Sequence, residues 1–464
     1  MASGEAQARS QLWKISSVAV LGSFLAQMDA TVVNVSLSSL ALELHTTLST
    51  IQWVTSGYLL ALALTLPLSG WLVGRLGARA VYLWCFSAFT LTSALCGFAW
   101  SANSLICFRI LQGMSGGLLA PMAQLLMVRA AGERMARVLG FAAMPILLAP
   151  LLGPVIAGAL LHLASWRWLF WVNLPFGALA LALAALFLPR DRQARRPSRL
   201  DLVGLGLLSP CLVLFLYGSE RATDPLGLSA LTLSALLFTV FIWWARRRKD
   251  KAIVDLRLFR DRMFSAAVIA QFLAQGVSFA GQMLVPVFLT RSRNLSPAEA
   301  GLLLAAQGLG MMVSFPLVGS LVERLGNRTV AVGGALAALV GTLPFIGLSG
   351  QGLAAIALFV RGVGLSCIGI PSISAAYTSV KRDDLPMATT ALNIVTRTGG
   401  PTLTTICTTF LAGRLAAHPL APVSNSYGAT FALLCSFHLV LCAAALRLPQ
   451  RVRKAPADPG NGRT

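Results

Sequence analysis

The chain has 464 residues, of which 56% are hydrophobic types and only 11% are charged, and its mean hydropathy is +0.75. Soluble domains carry roughly a quarter charged residues, because an exterior in contact with water cannot be this apolar, so the composition excludes a soluble globular protein and points to a polytopic membrane protein. Lys and Arg number 37 against 16 Asp and Glu, a net +21 that fits either a nucleic-acid ligand or the basic cytoplasmic loops of a membrane protein, depending on where the charges sit.

The first ten residues are polar, and the apolar run from Leu12 to Leu37 is too long for the core of a cleavable signal peptide, so it reads as the first membrane span. Stretches of about 20 mostly apolar residues recur at 51–73, 80–100, 104–128, 138–161, 168–189, 202–218, 228–245, 264–289, 298–321, 329–348, 353–378, 386–413 and 427–446, fourteen spans in all. An even number puts both termini on one side. With that side taken as cytoplasmic, 29 basic residues fall in cytoplasmic segments, 5 in outer loops and 3 within spans. This bias orients the chain in the inner (cytoplasmic) membrane with both termini inside. It accounts for +18 of the net charge, leaving +1 outside and +2 within the membrane. The basic character is therefore an orientation signal, and no nucleic-acid partner is expected. No loop is long enough for a separate soluble domain.

The two most basic loops flank spans seven and eight and divide the chain into residues 1–190, a two-helix insertion at 191–262, and residues 263–464. The outer parts repeat one another. Gly70-Trp-Leu-Val-Gly-Arg-Leu-Gly77 is similar to Gly319-Ser-Leu-Val-Glu-Arg-Leu-Gly326 at an offset of 249; Arg109 and Arg361 stand at an offset of 252; Gly153-Pro154 and Gly400-Pro401 stand at an offset of 247. Near-equal offsets of this kind mark an internal duplication, a common transporter design. Enzyme and metal signatures are missing from the sequence. No Lys follows a Gly-x4-Gly, no HExxH or CxxC occurs, and the eight Cys lie in apolar stretches. Gly113-Met114-Ser115-Gly116-Gly117 fits the GxSxG esterase pattern but lies inside an apolar helix with no strand before it. We expect no enzyme activity, no metal and no cofactor.

Five stretches in order resemble the major facilitator superfamily, and within it the fourteen-helix drug:proton antiporter branch of the EmrB/QacA type. These are Met28-Asp29-Ala-Thr31-Val32-Val33-Asn34-Val35 in span one, Gly70 to Arg79 between spans two and three, Arg109-Ile-Leu-Gln112-Gly113 in span four, Gly153-Pro154-x3-Gly158 with Trp166-Arg167-Trp168-x3-Val172-Asn173-Leu-Pro175, and Asn393-x3-Arg397-x-Gly399-Gly400. The resemblance covers nearly the whole chain. It implies an all-α fold of two six-helix bundles around a central cavity, with two extra helices between them. The chain departs from the branch at Gly74, where an Asp is common, although the second copy keeps Glu323, and it lacks the Pro that often closes the first-span motif.

Asp29 is the only acid in the interior of a predicted span, Glu299 standing at the outer edge of another. An intramembrane carboxylate is costly and is a functional candidate by default. Held between burial and a nearby cation, it can take up or release a proton. Arg109 falls at a similar depth on an antiparallel span, so a charge pair is geometrically allowed. A structural ion pair is the competing reading. Arg361 and Arg397 have no acid in the interior of any second-half span and must find carbonyls, water or an anionic group on the substrate. Gln271, Gln275 and Gln282 fall on one helix face and suggest a cavity wall, which Gln27, Asn34, Gln52, Gln112, Gln307 and Asn393 would share; interhelical hydrogen bonding is the alternative. Gly70, Gly74, Arg75, Gly77 and Arg79, with Glu323 and Arg324 in the second copy, read as a gating loop between alternating conformations. Gly153, Pro154 and Gly158 would break or thin span five, which the resemblance links to exchange rather than uptake. Trp166, Trp168 and Trp171 read as an interfacial belt.

These features point to a proton-coupled exporter of small lipophilic compounds working by alternating access, driven by a proton gradient. Export of an anionic metabolite or lipid-like molecule, or a non-transporting receptor or scaffold, are the alternatives. The partners expected are substrate, protons and the bilayer; an accessory periplasmic protein stays open.

Overall fold

A computed structural model describes residues 2–131, 135–189, 199–347, 351–420 and 422–450. Arg134, the basic stretch at 190–198 and the tail from 451 lie outside the described residues. The chain is all helix. In order it forms α1 (Ala2–Val35), a short helix (Leu37–Glu43), α2 (Leu48–Leu76), α3 (Ala78–Gly97), α4 (Ala102–Ala131), α5 (Met135–Leu163), α6 (Trp168–Phe187), α7 (Leu202–Glu220), α8 (Pro225–Arg248), α9 (Arg262–Arg291), α10 (Pro297–Leu325), α11 (Asn327–Ile346), α12 (Gln351–Thr378), α13 (Leu385–Ala417) and α14 (Val423–Ala445).

Twelve of these are long and apolar enough to cross a membrane. The other two expected spans, 138–161 and 386–413, correspond to α5 and α13, which are as long as their neighbours. Several side chains of α5 lie outside the described residues, and the threonines, Arg397 and Arg414 make α13 the more polar helix. The first span also ends early: the helix stops at Val35 and restarts at Leu37 after a hydrogen bond from the Ser36 hydroxyl back to Val32 O (2.7 Å).

Apolar packing reveals how the halves meet. One continuous core runs from α1–α8 into the terminal ends of the later helices, through Phe264, Val318, Val322, Ile370, Tyr377, Leu385 and Ala388. A second, separate core holds the remaining parts of α9–α14, built around Phe288, Phe345 and Phe431. The halves therefore share a core at the end that carries the termini, and the second half keeps a core of its own toward the opposite end.

The repeated loop explains the shared end. Gly77 and Gly326 occupy equivalent positions and both have positive φ (89° and 86°), a conformation that costs glycine little and other residues much. Gly70 lies under α13, where an added Cβ would meet Thr390 Oγ1 at 2.8 Å and Pro386 O at 3.2 Å. Its counterpart Gly319 lies against the Arg137 backbone of α5. The halves thus exchange equivalent contacts, as a duplicated fold requires. Polar bonds accompany them: Ser69 to Thr390 (2.7 Å), Asn393 Nδ2 to Gln124 Oε1 (3.0 Å), and the Arg137–Glu323 ion pair. Glu323 has no counterpart in the first copy, because Gly74 stands there and faces nothing within 4 Å. Arg75 packs over Trp71 (5.4 Å) and Arg79 donates to Ala185 O (2.6 Å), both within the first half. Arg324 is exposed.

α7 and α8 form a hairpin joined by Ser234 Oγ to Cys211 O (2.8 Å), with Asp201 capping α7 and accepting from Trp244 (2.9 Å). α7 touches both halves, through Ser209 Oγ to Leu64 O of α2 (2.7 Å) and Thr405 Oγ1 of α13 to Ser219 O (3.1 Å).

A Ser69→Cys/Thr390→Cys double variant should form a disulfide under mild oxidation, read by mass spectrometry of the digested protein. Failure of that pair to cross-link would show that the halves do not close at the terminal end.

Candidate functional site

Two helices set the central charge pair at matching depth. Asp29 stands six residues before the end of α1 and Arg109 seven residues after the start of α4, about 9 and 10 Å from the same face at 1.5 Å per residue. Their side chains meet at 2.6 Å, Arg109 Nη1 to Asp29 Oδ2, with neither exposed. Asp29 Oδ1 accepts from Asn173 Nδ2 of α6 (2.7 Å) and, at longer range, from Gln112 Nε2 (3.4 Å). Arg109 also donates to Gln112 Oε1 (2.7 Å) and Val54 O (3.2 Å) and lies 4.2 Å from the centre of the Tyr58 ring. Asn173 in turn donates to Ser93 (3.1 Å), whose hydroxyl donates to Phe170 O (2.9 Å). A charge this deep is tolerated only when its partners are supplied by the protein, and here five helices supply them.

Sequence reading found Asp29, Arg109 and Gln112, and quoted Asn173 within a motif without giving it a role. It missed Tyr58 and Ser93. A signal for Tyr58 exists: Gly113 and Gly117 stand one turn apart and let α4 rest on the carbonyls of Tyr58 and Leu62, so the glycine pair marks that face of α2. The GxSxG-like run is thus a helix-packing surface.

Arg361 is the second-half counterpart of Arg109. It is fully buried and donates to Val277 O (2.7 Å), Gln307 Oε1 (2.8 Å) and Thr342 Oγ1 (3.2 Å), in space left by Gly281. A backbone carbonyl stands where the first half uses a carboxylate. Of the residues expected to line a cavity, Arg361, Gln307, Gln112 and Gln271 are all buried at 7% exposure or less. The polar stripe of α9 splits accordingly, with Gln271 inside, Gln275 half-buried and Gln282 exposed. Gln27, Asn34 and Gln52 are exposed toward the end away from the termini, Asn393 is half-buried, and Arg397 is exposed. Gly153 brings α5 onto Thr31 of α1 (2.6 Å to an added Cβ), but Gly158 faces open space and does not serve close packing. Pro154 lies in α5, its side chain outside the described residues. Trp168 is exposed whereas Trp166 is buried (3%), so the aromatic belt is only partly a surface feature. Among the described residues, no group of three or more His, Cys, Asp or Glu is placed to hold a metal.

A duplicated, all-helical chain that buries one carboxylate–guanidinium pair inside its first half matches a known profile. The Major Facilitator Superfamily profile matches residues 19–255 and 267–463. The chain belongs to the Major Facilitator Superfamily. This facilitator is 34% identical over 405 residues to a Mycobacterium tuberculosis (strain ATCC 25618 / H37Rv) protein named "Multidrug resistance protein B homolog", covering 84% of this chain and 74% of that one. It is 28% identical over 467 residues to "Putative multidrug resistance protein MdtD" of Yersinia pestis (strain Pestoides F), covering 98% of each. Among solved structures, the proton:xylose symporter XylE superposes with a TM-score of 0.62 at 16% identity, over 93% of this chain and 96% of the symporter. The facilitator is a multi-pass membrane transporter with multidrug-resistance relatives.

Removing one member of the buried pair leaves an uncompensated charge, which costs about 3–5 kcal/mol. Arg109→Gln should therefore lower the unfolding temperature more than the neutral pair Asp29→Asn/Arg109→Gln, measured in one detergent. Equal losses would show that the two side chains are not coupled.

Proposed function

We propose that this facilitator is a proton-coupled exporter of small lipophilic compounds, of the fourteen-span EmrB/QacA type. It would lie in the cytoplasmic membrane with both termini inside. The exchange is driven by the proton gradient, with no cofactor. The multidrug-resistance relatives support the substrate class, and the lengths of α5 and α13 support the span count.

The observation that carries the reading is the placement of Asp29. Among the described residues it is the sole acid away from the ends of the long helices, and it sits in a cluster with two sets of partners. With Asp29 ionised, its carboxylate gathers Arg109, Asn173 and Gln112 across α1, α4 and α6. With Asp29 protonated, the charge attraction ends, while Arg109 keeps Gln112 Oε1, Val54 O and the Tyr58 ring. Two discrete arrangements of one buried network are what a proton needs in order to bias a conformational equilibrium. The core shared between the halves lies at the end that carries the termini, which supports a cycle in which that end closes while the other admits the proton. Gly70, Gly319 and the Arg137–Glu323 pair hold the cytoplasmic end closed until the next half-cycle.

The test is flux in proteoliposomes with an imposed pH gradient, using a lipophilic dye as cargo. Asp29→Asn should abolish gradient-driven efflux while the variant still purifies as a folded protein. Undiminished efflux by Asp29→Asn would remove the proton mechanism.

A further inference from the structure

An amide oxygen in the cluster around Asp29 is buried without a partner. Asn173 is 2% exposed, and its amide nitrogen is used twice, donating to Asp29 Oδ1 (2.7 Å) and to Ser93 Oγ (3.1 Å). Its amide oxygen meets no donor among the described residues. Buried acceptors without a donor are rare and costly, and each needs a reason. Asn173 also stands at a break in α6. The two pieces of that helix, Trp168–Trp171 and Asn173–Phe187, meet at Val172, and Pro175 has no N–H to return to the Trp171 carbonyl.

The reason lies in what a proton does to Asp29. Oδ2 faces the Arg109 guanidinium (2.6 Å), so Oδ1 is the oxygen left to take a proton. A protonated Oδ1 points its O–H at the N–H of Asn173, donor against donor. Turning the amide by half a turn puts its oxygen there instead, and the terminal torsion of Asn is roughly two-fold, so no backbone movement is needed. An amide nitrogen carries two hydrogens and its oxygen two lone pairs. The turn therefore inverts both bonds at once. The Asp29 hydroxyl donates to the amide oxygen, and so does the Ser93 hydroxyl, which leaves Phe170 O (2.9 Å) to do so. The oxygen that is unpaired beside an ionised Asp29 gains two donors beside a protonated one.

We propose that Asn173 is an amide switch that reads the charge of Asp29 on α1 and passes it to Ser93 on α3 as a reversed hydrogen bond. The assignment rests on the proton-exchange reading and deepens it. Asn173 is a positioning residue: the proton stays on Asp29 Oδ1, and only the direction of two hydrogen bonds changes. The other ionisable groups around Asp29 are Arg109 of α4, Tyr58 of α2 and Cys96 of α3; α5 meets α1 two residues further on, where Gly153 rests on Thr31. None of these offers both a donor and an acceptor to Asp29 in the way an amide does. Two self-consistent hydrogen-bond patterns over three helices make the discrete pair of states that a proton can bias.

The test is infrared difference spectroscopy of the full chain in nanodiscs, between alkaline and acid buffer, with asparagine carrying carbon-13 at its side-chain carbonyl. The amide band lost in Asn173→Ser or Asn173→Gln belongs to Asn173, and the protonated-carboxyl band lost in Asp29→Asn belongs to Asp29. In the wild-type chain the Asn173 band should shift to lower frequency in the same pH step that brings up the Asp29 carboxyl band, because the oxygen has gained donors. Ser93→Ala, which removes one donor, should keep only part of that shift. A carboxyl band that rises while the Asn173 band stays in place, or a full shift in Ser93→Ala, would overturn the proposal and leave proton exchange at Asp29 standing. Absence of an Asp29 carboxyl band across the pH range would instead overturn both, so the two failures are distinguishable.

Discussion

The ion pair between Asp29 and Arg109 is the constraint around which the first half is arranged. Neither charge could stay in the membrane interior alone, and the cost of a partnerless buried ion exceeds most single packing terms. The pair therefore dictates its surroundings. α1 and α4 must run side by side with their charged residues at one depth; α6 must bring Asn173 to the free carboxylate oxygen; α2 must offer a carbonyl at Val54 and a ring at Tyr58. Gly113 and Gly117 then follow from the need for α4 to approach α2 closely enough for those contacts.

The second half applies the same scaffold to a different electrostatic problem. Arg361 keeps the position of Arg109 but has no acid, and the deficit is covered by Val277 O, Gln307 and Thr342. Three neutral acceptors can satisfy a guanidinium's donors without neutralising its charge, and they have no proton to exchange at that depth. The duplication thus yields two bundles of equal architecture and unequal chemistry. Only one of them places a carboxylate against its buried guanidinium; the other meets the same position with neutral acceptors.

The fold was legible because it rests on properties that survive without coordinates: span length and the offset of Gly70 and Gly319. The Asp29–Arg109 pair was legible because a charge in an apolar stretch is conspicuous and helix rise fixes its depth. The glutamines were harder. A polar residue in a membrane helix reads as cavity-lining or as interhelical glue with equal ease, and Gln112, Gln271 and Gln307 turned out to be buried among helices. The choice depends on which helix lies opposite, and helical periodicity carries no information about that. Tyr58 escaped for a related reason: its role comes from the Arg109 guanidinium packed over it, on another helix, and the only sequence trace of it is the glycine pair on that helix.

The end at which the halves share a core is joined by weak polar parts, which matters for the alternation proposed above. Gly70 and Gly319 let backbones touch without interlocking side chains, Ser69 and Thr390 share one neutral hydrogen bond, and the Arg137–Glu323 pair is partly exposed to solvent. A surface pair of that kind contributes about 0–1 kcal/mol, and a neutral hydrogen bond about 1 kcal/mol. Absence of an acid at Gly74 removes the symmetric second pair. Closure is then held mainly by the apolar core that continues across the halves, through residues such as Val318, Val322 and Leu385. Two conformations can only alternate if they lie within a few kcal/mol of each other. Under the proposed mechanism, a one-sided latch over a shallow core is what would keep this end within the reach of a single protonation event at Asp29.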